Sequence, residues 1–290
     1  MTPRQKRNLR RRGVHVTLLP RDQALLRAIG RFRLARTADL APLFFPGRHR
    51  DVLAARLRRL FDAGYLEVRV LDRAAQNVYA LGPAGRVWLE SQGVETQPPP
   101  RQPWDHHLAV VRLWSRLAAA AFQLPQHQLV RFVPDWAVRA QGAETMSEIV
   151  PDALMEVAGI TEGRTRTRCF AVEVDRGTES LEVLRRKVRI LRGVASTDEP
   201  FPGWHDLELL MVLDGPGMRR ERQVLSILES EWPGQALLWT DNTDIASKLS
   251  RLLGVAETPV TGSRHGNGRE AAASPKTPTD PDVTGEGSSS

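Results

Sequence analysis

A single cysteine, Cys169, stands in a chain of 290 residues. That count excludes an internal disulfide and a cysteine-based zinc site. Cys169 opens an apolar stretch and reads as a buried, inert thiol. No apolar run approaches the length of a membrane-spanning helix, and no hydrophobic signal region follows the basic start. A cytoplasmic protein with no membrane association is therefore expected. Phosphate-binding loops of the Gly-x-x-x-x-Gly-Lys type, nucleophile elbows and dinucleotide fingerprints are also missing. Gly215-Pro216-Gly217 places proline where a phosphate loop needs amide donors.

Acidic residues are scarce near the start, where Asp22 is the one acid between Arg4 and Arg36. Over the whole chain 41 basic residues face 34 acidic ones, a formal charge of +7. Such a balance favours a polyanionic partner. Residues 1–20, with Arg4, Lys6, Arg7, Arg10, Arg11 and Arg12, read as a basic flexible arm able to track phosphates.

Leu25, Leu26, Ile29 and Phe32 recur at helical spacing, predicting a helix over about 22–33 with Asp22 as its N-cap. A short second helix follows Thr37 as its N-cap, and a third is expected over about 48–62 with Gly64 as its stop. Strand-like stretches at 65–71 and 77–81 follow, then a helix from Pro83 to about Gly93. Helix, helix, helix, hairpin is the order of a winged helix-turn-helix, which places this domain at 21–93. The third helix would enter the major groove of double-stranded DNA. Its candidate contacts are Arg50, Arg56, Arg58 and Arg59, with Arg69 and Arg73 on the wing. Some of these arginines are expected simply to solvate the outer face of the helix.

Residues 94–103 form a stiff Pro-rich linker, Gln97-Pro98-Pro99-Pro100-Arg101-Gln102-Pro103 at its heart. The next domain, 104–255, opens on a helix over about 104–122, then strands near 129–133, 149–157 and 168–174. A charged helix over 178–192, ended by Gly193, a strand at 207–213, a helix at 218–230, a strand at 235–239 and a last helix near 244–253 complete it. A mixed sheet flanked by helices is expected. Residues 256–290 are Gly-, Ser-, Thr- and Pro-rich and read as a disordered tail.

Two motifs end apolar strands in this second domain, Val150-Pro151-Asp152-Ala153 and Phe170-Ala171-Val172-Glu173-Val174-Asp175. Asp152, Glu173 and Asp175 could meet at one end of the sheet. Crowded carboxylates need protons or a cation, and hard cations such as magnesium or manganese prefer oxygen ligands. A structural alternative is that Glu-x-Asp merely ends a strand and starts a turn. His106 and His107 are adjacent on a helix start, so their side chains point about 100° apart. That spacing does not suit the alternate histidines that tyrosine-dependent relaxases use, and both tyrosines, Tyr65 and Tyr79, fall in the wing. One of the two histidines could still reach the carboxylates from this helix; otherwise backbone or solvent satisfies them.

The order of elements, with Pro-Asp on one strand and Glu-x-Asp on the next, resembles the PD-(D/E)xK (restriction-endonuclease-like) nuclease fold. The resemblance implies Asp152 and Glu173 as ligands of a catalytic magnesium or manganese ion. The position of the motif lysine holds Asp175 here, so Lys187, or less readily Arg176, would supply the cation from the following helix. Asp175 could instead hold a second metal, or mark a decayed site.

Taken whole, the chain resembles the replication-relaxation family of plasmid and integrative-element proteins. The likeness rests on the 56–66 segment, the His106-His107 helix start, Val150-Pro151-Asp152-Ala153 and the run from Val172 to Glu179 with Lys187. It implies a role in plasmid replication, mobilisation or DNA relaxation, alongside other replication or mobilisation proteins of a mobile element. Catalytic roles would fall to Asp152, Glu173, Asp175 and Lys187 in a magnesium- or manganese-dependent nickase or nuclease. The alternative is a non-enzymatic winged-helix regulator whose second domain serves as a homodimer or partner surface, expected within 207–253.

Overall fold

A computed structural model describes residues 13–69, 77–140, 149–161, 164–215, 217–240 and 244–253. The arm to Arg12, the candidate Arg73, the side chain of Arg50, the turn residues Glu162 and Gly163, and the tail from residue 254 lie outside them.

The N-terminal part begins with α1 (Pro20–Phe32), β1 (Ala35–Arg36), α2 (Thr37–Phe44) and α3 (Arg50–Asp62). It continues with β2 (Leu66–Arg69), β3 (Val78–Leu81) and α4 (Pro83–Ser91). Pro20 is the first residue of α1, where its missing amide costs nothing. Asp22, expected as the cap, sits instead in the first turn and accepts from the Leu19 amide at 2.8 Å. Asp39 does the same for the Arg36 amide at the start of α2, also at 2.8 Å, and Thr37 is that helix's first residue rather than its cap. β1 is a short strand that the periodicity did not signal. It pairs with β3, which pairs with β2, giving an antiparallel sheet ordered β1-β3-β2.

The C-terminal part runs α5 (Asp105–Gln123), β4 (His127–Pro134), α6 (Asp135–Ala140), β5 (Ala153–Thr161) and β6 (Arg164–Asp175). Then come α7 (Leu181–Ala195), β7 (Leu207–Leu213), α8 (Met218–Glu231), β8 (Ala236–Thr240) and α9 (Ile245–Leu253). The sheet order is β4-β5-β6-β7-β8. β4, β5 and β6 form an antiparallel meander, and β6, β7 and β8 run parallel. The mixed sheet flanked by helices is thus as expected. α7 differs in its ends. Ser180 caps it by accepting from the Val183 amide at 3.2 Å, and the helix passes through Gly193 to Ala195.

Alternation along the central strands sorts the core into two layers. Phe170, Val172, Val174, Leu210 and Val212 pack with α5 and α9. Leu209, Met211 and Leu213 face α7 and α8, with Leu184, Val188 and Val224. β7 is apolar on both faces because it is covered on both. Ala171, Glu173 and Asp175 share the α7/α8 face of β6, so two charges are carried into a buried layer.

The Pro-rich segment does not separate two cores. Phe32 of α1 packs against Trp114 of α5, with ring centroids 4.1 Å apart, and against Phe132 of β4 at 6.2 Å. Leu25, Leu57, Leu113 and Val172 belong to one continuous apolar cluster. The segment itself is pinned at two carbonyls near its middle. Arg33 Nε donates to Pro98 O at 2.7 Å, and Trp104 Nε1 donates to Pro100 O at 2.9 Å.

Candidate functional site

β5 begins at Ala153, paired with Val172 of β6. Asp152 and Glu173 therefore occupy the next register position, at the mouth of the sheet. Asp152 Oδ2 accepts from the Val174 amide at 2.8 Å, which fixes the carboxylate on the β6 end. From α7, Lys187 Nζ contacts Glu173 Oε2 and lies 4.0 Å from Asp152 Oδ1. From the first turn of α5, His106 Nε2 meets Asp152 Oδ1 at 2.9 Å. These groups line one cavity of about 240 Å³, together with Arg176, Thr178 and Glu179.

Asp152, Glu173 and Lys187 are thus brought together. Asp175 lines the same cavity but is turned to α8, where Arg220 Nε and Nη2 hold its carboxylate at 2.7 and 3.0 Å. Its Oδ1 also accepts from the Gly177 amide at 2.9 Å, as in a strand-ending turn. The three carboxylates thus share one end of the sheet, but Asp175 is engaged by Arg220 rather than facing the other two. Among the described residues, no three His, Cys, Asp or Glu side chains gather in a metal-holding group. Arg176, the second candidate cation, lies 3.9 Å from Asp214.

Electrostatics follow from burial. Asp152 is 9% and Glu173 2% exposed. Burial opposes the Asp152 charge, but His106, Lys187 and the Val174 amide outweigh it and hold the carboxyl below the usual range. Burial and the adjacent Asp152 charge push Glu173 well above its ordinary value, against the pull of Lys187. Lys187 is desolvated too, yet the two carboxylates raise its pKa, and the ammonium stays charged. Asp152 keeps its charge at the expense of Glu173, whose ionised form burial and the neighbouring carboxylate oppose. Glu173 Oε1 is buried without a hydrogen-bond partner. An orphan carboxylate oxygen beside a cavity is costly unless something docks there.

The sequence allowed one of the two histidines to reach the carboxylates from the first helix, and His106 is the one that does. His106 holds Asp152. His107 donates from Nε2 to Phe32 O at 2.6 Å and stacks on Trp136, with ring centroids 4.3 Å apart. Burial pulls the His107 pKa down from 6.5 to about 4, only partly offset by the bond to Phe32. Between these values the unfolded chain binds the proton that the folded one refuses, so stability falls as pH falls through this window. The expected loss by pH 4 is about 2–3 kcal/mol, allowing for partial exposure. Urea titrations at pH 7 and pH 4.5 should therefore diverge less for His107→Gln, which retains a donor for Phe32, than for the wild type.

The candidate DNA-contacting arginines part company. Arg56 faces inward: Nε donates to Asp22 Oδ1 at 2.8 Å, and Nη2 contacts Asp22 Oδ2 and donates to Thr17 O at 3.0 Å. Arg58 is paired with Asp62 at 2.9 Å, one turn along α3. Arg59 is exposed. Arg69 is exposed and shares Glu67 at 2.8 Å. The Arg56 commitment could not be read from spacing, because Asp22 lies 34 residues away.

A three-layer chain with paired buried carboxylates at the mouth of a mixed sheet defines a class of architecture, not an identity. The replication-relaxation family model matches residues 26–200, and the chain belongs to that family. The match spans α1 through α7 and takes in Asp152, Glu173 and Lys187. No curated protein and no solved structure matches the chain. The family suggests a role in the replication or mobilisation of plasmids and other mobile elements. No helix among the described residues is long and apolar enough to cross a membrane.

Proposed function

We propose that this is a DNA-binding protein of mobile-element replication or mobilisation whose Asp152–Glu173–Lys187 centre cleaves a phosphodiester bond with a divalent metal ion. The convergence of these three residues in one cavity carries the proposal. The order α5-β4-α6-β5-β6-α7-β7, an antiparallel meander joined to a parallel strand by a crossover helix, agrees with a PD-(D/E)xK core. Lys187 takes the place of the motif lysine, whose position holds Asp175. Three helices followed by an antiparallel hairpin agree with a winged helix, with Arg59 and Arg69 as exposed contacts and the basic arm as a phosphate-tracking extension.

The donor set fits magnesium or manganese. Magnesium commonly binds through one or two carboxylates and completes its shell with waters and substrate phosphates. Asp152 Oδ1 and the orphan Glu173 Oε1 would supply those two ligands. When bound, the ion would acidify a water and offset phosphate charge. The protein's own groups do the rest. His106 and the Val174 amide hold Asp152 in one orientation, and Lys187 presents a permanent positive charge to the scissile phosphate. Calorimetric titration should show one Mn²⁺ per wild-type chain and none for Glu173→Gln. Equal binding by the two proteins would remove Glu173 from the centre.

One observation favours the second reading, an inactive centre in a DNA-binding regulator. Lys187 already supplies a cation to both carboxylates, and Asp175 is committed to Arg220. A homodimer of that regulator would draw on the exposed Val183, Met218 and Leu225 of α7 and α8.

A further inference from the structure

Asp152 is tied to the N-terminal part by two parallel struts, each built from a pair of consecutive residues. On α5, His106 Nε2 meets Asp152 Oδ1 at 2.9 Å, while the next residue, His107, donates to Phe32 O at 2.6 Å. On α6, the Asp135 amide donates to Asp152 O at 3.0 Å, while the next residue, Trp136, donates from Nε1 to Arg31 O at 3.1 Å. Arg31 and Phe32 are the last two residues of α1. The struts also brace each other, because the His107 ring stacks on Trp136 at 4.3 Å and 20°. Trp136 in turn meets Phe32 edge-on at 6.4 Å.

A carboxylate with one oxygen on a backbone amide still needs its other oxygen and its own backbone fixed. Here both are supplied by elements whose far ends rest on α1. The carbonyls at the C-terminal end of α1 have no acceptor role left within the helix, so they are ready partners for side-chain donors. Neither His107 nor Trp136 lines the cavity. Their rings instead set where the first turns of α5 and α6 stand.

We infer that His107 and Trp136 are positioning residues, through which the end of helix α1 sets the orientation of Asp152. The inference rests on the cleavage centre proposed above only for its effect on reaction rate; its effect on geometry stands independently. The consequence is that the DNA-holding part and the centre act as one body, and α1 cannot shift without moving Asp152.

The test compares wild type, His107→Ala, His107→Gln and Trp136→Phe. Three readouts apply: the ¹⁵N resonances of the His106 ring at one fixed pH, Mn²⁺ affinity, and conversion of supercoiled plasmid. Loss of the partner that orients a ligand commonly costs about 10- to 100-fold in metal affinity or rate. His107→Ala is expected to move the His106 resonances and weaken Mn²⁺ binding by such a factor, with duplex DNA affinity unchanged. His107→Gln should restore most of both. Trp136→Phe, which retains the ring but not the donor to Arg31, should shift the same resonances less and is the milder variant should His107→Ala fail to fold. A folded His107→Ala or Trp136→Phe with the wild-type His106 signals would overturn the inference. If the wild type neither binds Mn²⁺ nor cuts, the proposed chemistry falls, while the resonances still decide whether the struts position Asp152.

Discussion

Lys187→Met is expected to lower the unfolding free energy by about 3–5 kcal/mol, the range for removing one partner of a buried ion pair. The Lys187 side chain is 20% exposed and its partner Glu173 3%. Methionine preserves most of the stem's packing, so the loss isolates the charge. Without the ammonium, Asp152 and Glu173 face each other across a buried gap, and one of them must take up a proton. Glu173 is the one already pushed upward by burial. Its raised folded pKa means the variant's deficit grows as pH rises through that pKa and shrinks in acid, where the protonated form needs no cation. Denaturant titrations of both proteins from pH 5 to pH 8 would show this as a widening gap. Mn²⁺ should narrow the gap at high pH, because an ion held by the two carboxylates restores the missing charge.

Arg56→Met should be as damaging, again by about 3–5 kcal/mol, because it strands Asp22 without its guanidinium. Asp22 is fully buried and also holds the first turn of α1 through the Leu19 amide. Arg59→Ala is the matched control. Its side chain is exposed, so the unfolding free energy should stay within about 0.5 kcal/mol of the wild type. Duplex affinity should fall and the salt slope flatten by about one unit for Arg59→Ala if that arginine neutralises a phosphate. A cold, folded Arg56→Met protein with reduced DNA affinity would instead return Arg56 to the DNA-facing set.

The elements most legible in the sequence were those whose signal is local. The Leu25-Leu26-Ile29-Phe32 stripe marked α1, and the doubly covered β7 showed as a run apolar at every position but Glu208. Pro151-Asp152 and Val172-Glu173 could be matched as neighbours because strand ends in an antiparallel pair come together by register alone. Partners supplied by distant elements were not legible. Arg220 reaches Asp175 from 45 residues away, and no periodicity announces it. α6 escaped notice because its six residues follow β4 without a break, and with it went Trp136. Gly193 looked like a stop signal, yet it sits in the last turn of α7, where a glycine is tolerated at modest cost.

The centre itself is best tested on supercoiled plasmid with Mn²⁺ or Mg²⁺, comparing wild type with the Asp152→Ala/Glu173→Ala double variant. Nicking or linearisation by the wild type, lost in the double variant and on chelation, is the expected result. Unchanged plasmid with both proteins, while both still bind duplex DNA and an origin-bearing plasmid fares no differently, would contradict it and leave the DNA-binding regulator as the function.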